Sequence, residues 1–591
     1  MDILVRVIAS EVNKDLQKYG HNTAITPDQI QRPSDPAFGD YALPCFSLAK
    51  QLHKAPAAIA VELARSLSAT FSSTTWGRES SEHAPLQSVQ AAGPYLNFRV
   101  DPAAMARLTI PAILDGSYFR RNAEEPGTRE KVMVEYSQPN THKAFHVGHM
   151  RNIALGDALV RLFRYNGFDT VAANYIGDVG THIAKCLWYY QKHRKDDPPG
   201  ENRGEWLGEI YTVATRLLED APEPEREGYE KEVSAVLQDL EAGRGQLYAL
   251  WRETREWSLE SFREIYRWLD ARFDQDFFES EMEKPGRDIV QEGLNRGVFV
   301  RSRGAVGIDL EPEGLGFFLV LKSDGTTLYA TKDLALARIK FERFGIGRSL
   351  YVVGVEQTLH FKQVFRTLEK LGYTQAERSH HLAYGLVMLP EGKMSSRAGN
   401  VILFSRLRHE MREYILTHYL NAHRGDWTEV EIEETARRIA VAAIRYGMVK
   451  QDPSKTIVFN MEDWLQTEGD TGTYLCYAYT RICSVQKQVP QQPNPRADFA
   501  LLTLPEERAL LRELHDFNET VLLAERNLAP NRIAVALFQL CKEFSRAYVT
   551  SPVKQAPSEA LRDARLALFA ATGRLLREGL GLIGIVPPER M

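Results

Sequence analysis

Two short segments of this 591-residue chain carry side chains suited to the chemistry of phosphate groups. The first, residues 139–149, reads PNTHKAFHVGH, and its His146 and His149 can donate hydrogen bonds to phosphate oxygens. Gly148 between them has no side chain, so a flat purine could approach the backbone closely. A helix beginning here would also present free backbone N–H groups to an anion. Taken alone, the pattern fits histidines that only cap or pack a helix.

The second segment, residues 392–400, reads GKMSSRAGN and follows an expected strand that ends near residue 389. Lys393 and Arg397 place two cations in a loop of small residues. Such a loop suits a polyphosphate whose charge shifts during a reaction. A solvated surface turn is the usual fate of a sequence of this kind. The second segment therefore indicates a phosphate-binding site only in combination with the first.

Strands that alternate with helices are expected to position both segments, which predicts a parallel α/β sheet. The β-type runs are residues 131–136, 170–176, 350–355 and 381–389, and the helical stretches between them include 148–165 and 359–371. In such sheets ligands bind beyond the carboxyl ends of the strands, where the first segment falls. A charged helical region at about residues 185–290 interrupts the pattern and is expected to be an insertion with a solvated surface.

Three domains are expected along the chain. Residues 1–115 mix helices with the strand-like AGPYLNFRV and predict an α+β domain. Residues 125–405 form the α/β domain with its insertion. Residues 406–591 read as successive amphipathic helices and predict an all-α bundle.

Composition argues against several classes of protein. A formal net charge of -5 gives no support for a nucleic-acid-binding protein, because the chain as a whole does not attract a polyanion. It does not exclude one, because a local basic face can lie on an acidic protein. The chain has neither a run of about 18 apolar residues nor a signal peptide, so no membrane span is expected and the cytoplasm is predicted. The five cysteines form no Cys-x-x-Cys pair, so neither a metal site nor a disulfide scaffold is expected.

Together the His-x-Gly-His and Lys-Met-Ser segments, in that order and about 245 residues apart, resemble the signature pair of class I aminoacyl-tRNA synthetases. The resemblance implies a Rossmann-type catalytic domain, the use of ATP and Mg²⁺, and an aminoacyl-adenylate intermediate. It implies that His146, His149 and Lys393 are catalytic. The ATP-binding residues that it implies are His146, Gly148, His149, Lys393, Met394 and Ser395.

The second segment departs from the family's usual Lys-Met-Ser-Lys-Ser. Ser396 stands where the second lysine is usual, and Arg397 lies one residue beyond it. Either cation of the loop could meet the pyrophosphate, and Lys393 is the assignment that the resemblance supports.

The surrounding residues resemble the arginyl-tRNA synthetase family over essentially the whole chain. VEYSQPNTHKAFHVGHMRN is similar to the family's first motif, with Gln138 in place of a serine and Ala144 in place of a proline. NYIGDVGTHI, LYATKDLALA and GVEQTLHFKQVF resemble three further family segments, and EGDTGTYLCYAYTRICSV and GLGLIGIVPPERM resemble its C-terminal patterns.

The resemblance implies an acidic pocket for arginine, whose guanidinium is always charged and offers five donors. Asp333 and Glu135 would be the acidic partners, and Tyr329 would supply a flat wall and a hydroxyl. Asn140 and Gln357 would hold the amino and carboxylate ends of the substrate. Without the resemblance, a helix-capping Asp333 and a core Tyr329 would be the simpler reading.

The C-terminal helices resemble the anticodon-binding bundle of several class I synthetases, and the N-terminal domain resembles one that contacts the tRNA elbow. Residues 461–591 hold 15 Lys+Arg and 16 Asp+Glu, so recognition of RNA there would rely on shape and stacking. Tyr474, Tyr477 and Arg481 are the candidate tRNA contacts, although a core position is equally open for any single tyrosine.

Three alternatives stay open beside an arginine–tRNA ligase. A nucleotidylyltransferase can also carry His-x-Gly-His, but it would leave the C-terminal helices and the acidic pocket unexplained. A catalytically silent RNA-binding relative would lack a motif histidine or Lys393, and all of these are present. A class I synthetase for another amino acid would differ in its pocket. The resemblance favours a monomeric cytoplasmic ligase that joins L-arginine to tRNA(Arg) with ATP, through arginyl-adenylate.

Overall fold

The computed structural model describes residues 3–18, 23–33, 35–73, 86–120, 129–197, 201–393 and 401–591. The chain divides into two compact units. The first unit comprises Met1–Arg120, Arg481–Leu522 and Gln539–Leu576, and the second comprises Arg121–Thr480, Leu523–Phe538 and Arg577–Met591. The domain boundaries expected from the sequence stay predictions.

Helices predominate in the described chain. They are α1 (Ile3–Lys18), α2 (Phe46–Leu52), α3 (Pro56–Ser73), α4 (Pro102–Asp115), α5 (Val147–Tyr165), α6 (Thr181–His193), α7 (Arg203–Asp220), α8 (Glu223–Glu241), α9 (Gln246–Leu269), α10 (Glu279–Asn295), α11 (Tyr329–Phe344), α12 (Thr358–Lys370), α13 (Phe404–Ile415), α14 (Glu429–Val449), α15 (Met461–Leu465), α16 (Gly472–Gln488), α17 (Pro505–Arg526), α18 (Asn531–Thr550) and α19 (Glu559–Leu582).

The strands form four small sheets. They are β1 (Tyr41–Pro44), β2 (Leu86–Ala92), β3 (Tyr95–Val100), β4 (Val132–Glu135), β5 (Thr170–Ile176), β6 (Gln275–Phe278), β7 (Val300–Ser302), β8 (Ala305–Asp309), β9 (Phe317–Leu321), β10 (Arg348–Gly354), β11 (Ser379–Tyr384), β12 (Val387–Leu389), β13 (Gly392–Lys393) and β14 (Ile457–Val458).

The first unit contains an antiparallel sheet in the order β1-β3-β2 together with the helices α1 to α4. Strand β3 alternates exposed and buried side chains at its ends, and its Leu96 and Phe98 are at most 1% exposed. This is the half-buried pattern of a sheet with one face on a core. The α+β character expected for the N-terminal part is confirmed.

The second unit is built on a parallel sheet in the order β11-β10-β4-β5-β6, and all four neighbouring pairs are parallel. The predicted α/β sheet is therefore confirmed. From the central strand β4 the chain passes to β5 and β6 on one side, while β10 and β11 lie on the other. The strand order thus reverses between β4 and β10, and ligands of open parallel sheets bind outside the carboxyl ends of the strands at such a point.

The fifth strand of this sheet lies inside the region expected to be a helical insertion. Strand β6 pairs with β5 from Ala173↔Gln275 to Ile176↔Phe278. The expectation of helices alone over residues 185–290 is therefore wrong at this point. Four residues within a charged helical stretch give too short a run to be recognised by periodicity. The antiparallel sheet β7-β8-β9 was likewise not predicted.

The predicted strand over residues 381–389 is in fact two strands, β11 and β12. The chain leaves the parallel sheet at Gly385, whose N–H donates to the carbonyl of Pro453 at 2.9 Å. A Cβ on Gly385 would lie only 2.5 Å from backbone atoms of Lys455, so this close approach requires glycine. Strand β12 then pairs with β14 and β13. No helix in the described ranges is long and apolar enough to cross a membrane.

Candidate active site

The helix α5 begins at the first signature segment, with His146 as its N-cap. His146 has extended backbone angles, φ −132° and ψ 169°, and its Nδ1 accepts the N–H of Gly148 at 3.1 Å. The N–H of His146 donates to Nδ1 of His149 at 3.2 Å. This is a capping box in which two imidazoles take the roles usually held by Ser or Thr and Glu. The expected position of both histidines at a helix start is confirmed.

These two bonds fix the hydrogen-bonding character of the histidine pair, His146 and His149. Burial lowers the pKa of His146 to about 4, and burial together with His146 lowers the pKa of His149 well below its ordinary value. Both rings are therefore neutral near pH 7. Because each Nδ1 accepts a backbone N–H, the ring hydrogen must be on Nε2. The pair thus offers two Nε2–H donors, with ring centroids 4.0 Å apart.

The backbone N–H groups at this helix start are not free, contrary to the expectation from sequence. The N–H of Val147 donates to the carbonyl of Ile402 at 3.0 Å, and that of His149 donates to the carbonyl of His146 at 2.9 Å. The N–H of Gly148 is taken by the imidazole of His146. An anion here would meet the imidazole Nε2–H groups and the positive end of the helix dipole.

The second signature segment is described only at its first two residues, Gly392 and Lys393. Lys393 is the last residue of β13, whose backbone pairs with β12 at Met388. On the other side, the carbonyl of Ile402 accepts from Val147, and the N–H of Phe404 donates to the carbonyl of Phe145 at 3.1 Å. The chain following the second segment is thus hydrogen-bonded to the first. Residues 394–400 of the second segment lie outside the described ranges, and they include the predicted site residues Met394 and Ser395 as well as Ser396 and Arg397.

The loop between β4 and α5 is conformationally strained. Ser137, Gln138 and His142 have φ of 76°, 48° and 60°, which is uncommon for residues other than glycine. Asn152 on α5 holds this loop: its Oδ1 accepts the N–H of Ser137 at 2.7 Å, and its Nδ2 donates to Oε1 of Gln138 at 3.1 Å. Strain of this kind is concentrated at functional sites.

Asn152 also ties the loop to the neighbouring strands. Its Nδ2 lies 3.0 Å from the carbonyl of Val352 in β10 and 3.3 Å from the hydroxyl of Tyr384 in β11. Asn152 was not among the predicted site residues. The only sequence signal was an asparagine in the second turn of a helix, where it is a poor helix former and needs a reason to be present.

Four carboxylates influence the pKa of Tyr175, which lies near the end of β5. Burial raises the pKa of Tyr175 well above its ordinary value, and the charges of Asp333, Glu279, Glu135 and Asp178 raise it further. We call these four residues the acidic cluster. The structure therefore brings together the predicted pair Glu135 and Asp333, and it adds Glu279 and Asp178, which were not predicted as site residues.

Two members of the acidic cluster are held by strong cations. Asp178 lies with Oδ2 at 2.9 Å from Nε of Arg255 and accepts the N–H of Ser280 at 2.8 Å. Glu135 forms an ion pair with the fully buried Lys340. Burial alone would lower the pKa of Lys340, but the charge of Glu135 and the neighbouring hydroxyl raise it, so the ammonium stays charged.

The other two members have weaker partners. Glu279 is 2% exposed, and among the described residues neither of its side-chain oxygens has a hydrogen-bond partner; Oε1 lies 3.7 Å from Nζ of Lys332. Burial raises the pKa of Glu279 to about 7, with Lys332 opposing that rise and Asp333 adding to it. Oδ2 of Asp333 lies 2.5 Å from Nε2 of His360. A buried carboxylate without partners is costly, so it indicates a site built for a ligand with donors.

The remaining predicted pocket residues lie at the ends of the same strands and helices. Tyr329 begins α11 and is 62% exposed, so the core alternative for it is wrong. Asn140 forms an isolated parallel bridge with Gly177, where any side chain would collide with Oδ1 of Asn140. Gln357 is exposed in the short turn that follows β10. Their roles in binding stay predictions.

Electrostatic neighbours link the acidic cluster to the histidine pair. Burial lowers the pKa of His182 well below its ordinary value, and the charges of Lys143 and Lys332 lower it further. Lys143 also acts on His149, while Lys332 is the cation nearest to Glu279. The acidic cluster has members at or just beyond the carboxyl ends of β4, β5 and β6, and the histidine pair follows β4, so both groups lie toward the carboxyl edge of the parallel sheet.

The candidate tRNA contacts lie on α16 in different environments. Tyr477 is 40% exposed, whereas its neighbour Tyr479 is buried. Tyr474 meets the ring of Phe538 edge-on at 5.8 Å. The guanidinium of Arg481 lies 3.9 Å from the ring centroid of Tyr548. Exposure favours Tyr477 among the tyrosines as a contact for RNA, and the assignment of all three candidates stays a prediction.

Comparison with protein families matches nearly the whole chain. Residues 110–461 match the family described as tRNA synthetases class I (R), catalytic domain. Residues 475–591 match the DALR anticodon binding domain, and residues 6–100 match the arginyl tRNA synthetase N terminal domain.

Several similar proteins are arginine–tRNA ligases. An arginine–tRNA ligase of Bdellovibrio bacteriovorus is 42% identical to this chain and covers 99% of both sequences. That of Treponema pallidum is 35% identical over 95% of this chain and 94% of its own length. The solved arginyl-tRNA synthetase of Thermus thermophilus superposes with a TM-score of 0.80 at 29% identity, over 99% of this chain and 100% of that one.

Proposed function

The chain belongs to the arginyl-tRNA synthetase family, and from this membership we propose that it is an arginine–tRNA ligase that acts through an arginyl-adenylate. One observation carries the proposal for the site: a cluster of carboxylates with one uncompensated negative charge lies in the same region as two neutral imidazole donors. The carboxylates suit a guanidinium, and the imidazole donors suit the phosphates of ATP.

The charge balance of the acidic cluster supports arginine as the amino acid. Three of its four carboxylates, Asp178, Glu135 and Glu279, each have a lysine or arginine partner, which for Glu279 is the more distant. The fourth carboxylate, Asp333, has a histidine partner, which need not be charged. Within the described residues the cluster therefore has a formal charge of about -1, which one guanidinium neutralises.

Selectivity follows from the cost of leaving this charge unpaired. A neutral analogue such as citrulline would leave the half-buried carboxylate of Asp333 without a cation from the substrate. A site built to hydrogen-bond a substrate group rejects analogues that lack it by about 10⁴-fold or more. Tyr329, exposed at the start of α11, is proposed as the wall of this pocket, and Asn140 and Gln357 are proposed to hold the amino and carboxylate ends.

In the first step a carboxylate oxygen of arginine attacks the α-phosphorus of ATP. A new P–O bond forms, the bond to the β-phosphate breaks, and pyrophosphate leaves with its electron pair. No protein nucleophile is needed, so the enzyme contributes positioning and charge stabilisation. The Nε2–H groups of His146 and His149 donate to the phosphates, and Lys393, at the end of β13, is proposed to contact the leaving pyrophosphate.

The neutral state of the two imidazoles suits this role. A neutral donor stabilises charge that develops on phosphate oxygens without trapping ATP or pyrophosphate as tightly as a fixed cation would. Mg²⁺ bound with ATP would neutralise part of the phosphate charge. Magnesium keeps several waters and binds mainly through substrate phosphates with one or two carboxylates, so it needs no dedicated protein cage.

In the second step a hydroxyl of the tRNA 3′-terminal ribose attacks the carbonyl carbon of the adenylate. The ester bond forms, AMP leaves, and the hydroxyl proton is released. The α+β domain and the C-terminal helices are proposed to grip tRNA(Arg), with Tyr474, Tyr477 and Arg481 as candidate contacts. A monomer in the reducing cytoplasm completes the proposal, in keeping with five buried free cysteines.

The proposal is tested by aminoacylation of bulk tRNA with each of the twenty amino acids in turn, and with citrulline. Charging with arginine alone is expected. Charging with another amino acid at a comparable rate would overturn the proposed specificity. Absence of charging with every amino acid, in a folded protein supplied with ATP and Mg²⁺, would overturn the proposed activity.

A further inference from the structure

Gln138 bridges the acidic cluster to the helix that carries the histidine pair. Its Nε2 donates to Oε1 of Glu135 at 2.8 Å, and its Oε1 accepts from Nδ2 of Asn152 at 3.1 Å. Its backbone N–H donates to Oδ1 of Asn174 at 3.1 Å. Both ends of the side-chain amide and the backbone N–H are thus engaged, at a residue whose φ is 48°.

The carboxylate that Gln138 holds is otherwise fixed from one side only. Glu135 is 2% exposed, and its Oε2 forms the ion pair with Lys340. The ammonium of Lys340 is itself placed 3.7 Å from the ring centroid of Tyr351 in β10. Gln138 therefore supplies the second donor that prevents rotation of the Glu135 carboxylate about its own axis.

A short side chain such as serine could not make this bridge. The serine hydroxyl is attached directly to Cβ, whereas the amide nitrogen of glutamine is two further bonds away. The short side chain could not reach Glu135 and Asn152 together from the same backbone. The bridge therefore requires the length and the amide of glutamine.

We propose that Gln138 is a positioning residue for arginine recognition, which holds the carboxylate of Glu135 in the orientation that the substrate meets. The inference rests on the proposed function. The effect on substrate is indirect, because Gln138 acts through Glu135. Hydrogen bonds to a charged group are among the stronger ones in proteins, so their loss is expected to be measurable in binding.

The test uses Gln138→Ser and Gln138→Met in the full chain. Serine removes the bridge, and methionine keeps the length of the side chain without its amide. The KM for arginine and the KM for ATP are measured by ATP–pyrophosphate exchange in the presence of tRNA. Both variants are expected to raise the KM for arginine about 5- to 20-fold and to leave the KM for ATP within about twofold.

Gln363→Met is the matched control. Gln363 donates a single hydrogen bond of 2.7 Å to the carbonyl of Leu315 elsewhere in the same unit. A purely structural role would make the Gln138 variants behave like this control, with a lower melting temperature and an unchanged ratio of the two KM values.

The outcomes distinguish failure of the proposed role of Gln138 from failure of the proposed ligase function. Wild-type exchange that depends on arginine, with an unchanged arginine KM in both Gln138 variants, would overturn the inference alone. Wild-type protein without arginine-dependent exchange would overturn the proposed function. A raised arginine KM in Gln138→Met as well as in Gln138→Ser supports the inference and assigns the effect to the amide.

Discussion

Oδ2 of Asp333 and Nε2 of His360 lie 2.5 Å apart, which gives this carboxylate a partner that can be neutral. The other three members of the acidic cluster each face a lysine or arginine. Within the described residues the uncompensated charge of the cluster is therefore centred on Asp333, and this is where a substrate guanidinium is expected to bind.

Asp333→Asn removes this charge and keeps the shape of the side chain. The KM for arginine is expected to rise at least about 100-fold, because a guanidinium would lose a half-buried ionic partner. The KM for ATP is expected to stay within about twofold. Arginine-dependent ATP–pyrophosphate exchange in the presence of tRNA measures both quantities.

Asp324→Asn is the control for this substitution. Asp324 is exposed in the turn before α11 and accepts the N–H of Thr326 at 2.9 Å. This variant should keep the wild-type KM for arginine. An equal effect of the two substitutions, or no effect of Asp333→Asn, would refute the assignment of the pocket.

The raised pKa of Glu279 predicts that arginine binding releases protons near neutral pH. Burial raises the pKa of Glu279 to about 7, so the carboxyl is partly protonated there. A bound guanidinium favours the charged carboxylate and lowers this pKa again. Titration calorimetry in buffers of different ionisation enthalpy should show release of a fraction of a proton at pH 7.

The matching variant is Glu279→Gln, in which the proton release on arginine binding should disappear. Proton release that persists in Glu279→Gln would show that another group is responsible.

The raised pKa of Glu279 also affects folding, because between pH 4.5 and about 7 the folded state binds a proton that the unfolded state does not. The stabilisation from this proton is present at low pH and is lost as pH rises through 7.

His146→Asn separates helix capping from catalysis. Asparagine is a good N-cap, so the free energy of unfolding should change by less than about 0.5 kcal/mol. The variant lacks the Nε2–H donor, and kcat for pyrophosphate exchange should fall about 10²- to 10³-fold, as for loss of one transition-state donor. His146→Ala should lose activity to the same extent and about 1 kcal/mol of stability as well. Full activity in His146→Asn would assign the histidine to capping alone.

The depressed pKa of His146 also predicts the pH dependence of stability. The folded state binds a proton only near pH 4, whereas the unfolded state binds one at the ordinary value of 6.5. The unfolded state therefore binds more protons between these values, so stability falls as pH decreases from 6.5 toward 4. Urea unfolding at pH 7 and pH 5 should show a smaller loss in His146→Asn than in wild type. Equal losses would contradict the shift.

Long, continuous signals in the sequence predicted the framework of the site. Strand β5 was predicted with its observed bounds, and the helix expected at residues 148–165 is α5 to within one residue. Both have uninterrupted runs of buried residues, for which periodicity and flanking turn signals agree. The histidine pair follows from the same framework, because it occupies the loop between a strand and a long helix.

The acidic cluster could be predicted only in part, for a physical reason. Glu279 is the first residue of α10, where an acidic side chain usually complements the helix dipole in solvent. Its burial depends on tertiary contacts with α11, which local patterns do not contain. The pairing of Glu135 with Lys340 joins residues 205 positions apart, and no spacing rule indicates it.

Arg151 provides a prediction about stability. Its side chain is fully buried on α5 and donates to the carbonyls of Met448, Pro453 and Lys455. Arg151→Met would remove these three donors, although the carbonyl of Pro453 would keep the N–H of Gly385, and should cost about 3–5 kcal/mol of unfolding free energy. The midpoint of urea unfolding measures the loss.

Arg263→Met is the comparison for this loss. Arg263 is 57% exposed and pairs with Glu256 at 2.6 Å, and such surface pairs contribute at most about 1 kcal/mol. A similar shift of the midpoint in both variants would contradict the structural role assigned to Arg151.

Formation of arginyl-adenylate requires one reaction centre that holds arginine and the phosphates of ATP together. A crystal structure of the protein with a non-hydrolysable arginyl-adenylate analogue tests this most directly. The guanidinium is expected about 3 Å from the carboxylate of Asp333, with the phosphate-mimicking group within the same reach of Nε2 of His146 or His149. An analogue whose guanidinium lies away from Asp333, or whose phosphate-mimicking group lies away from both histidines, would contradict the account.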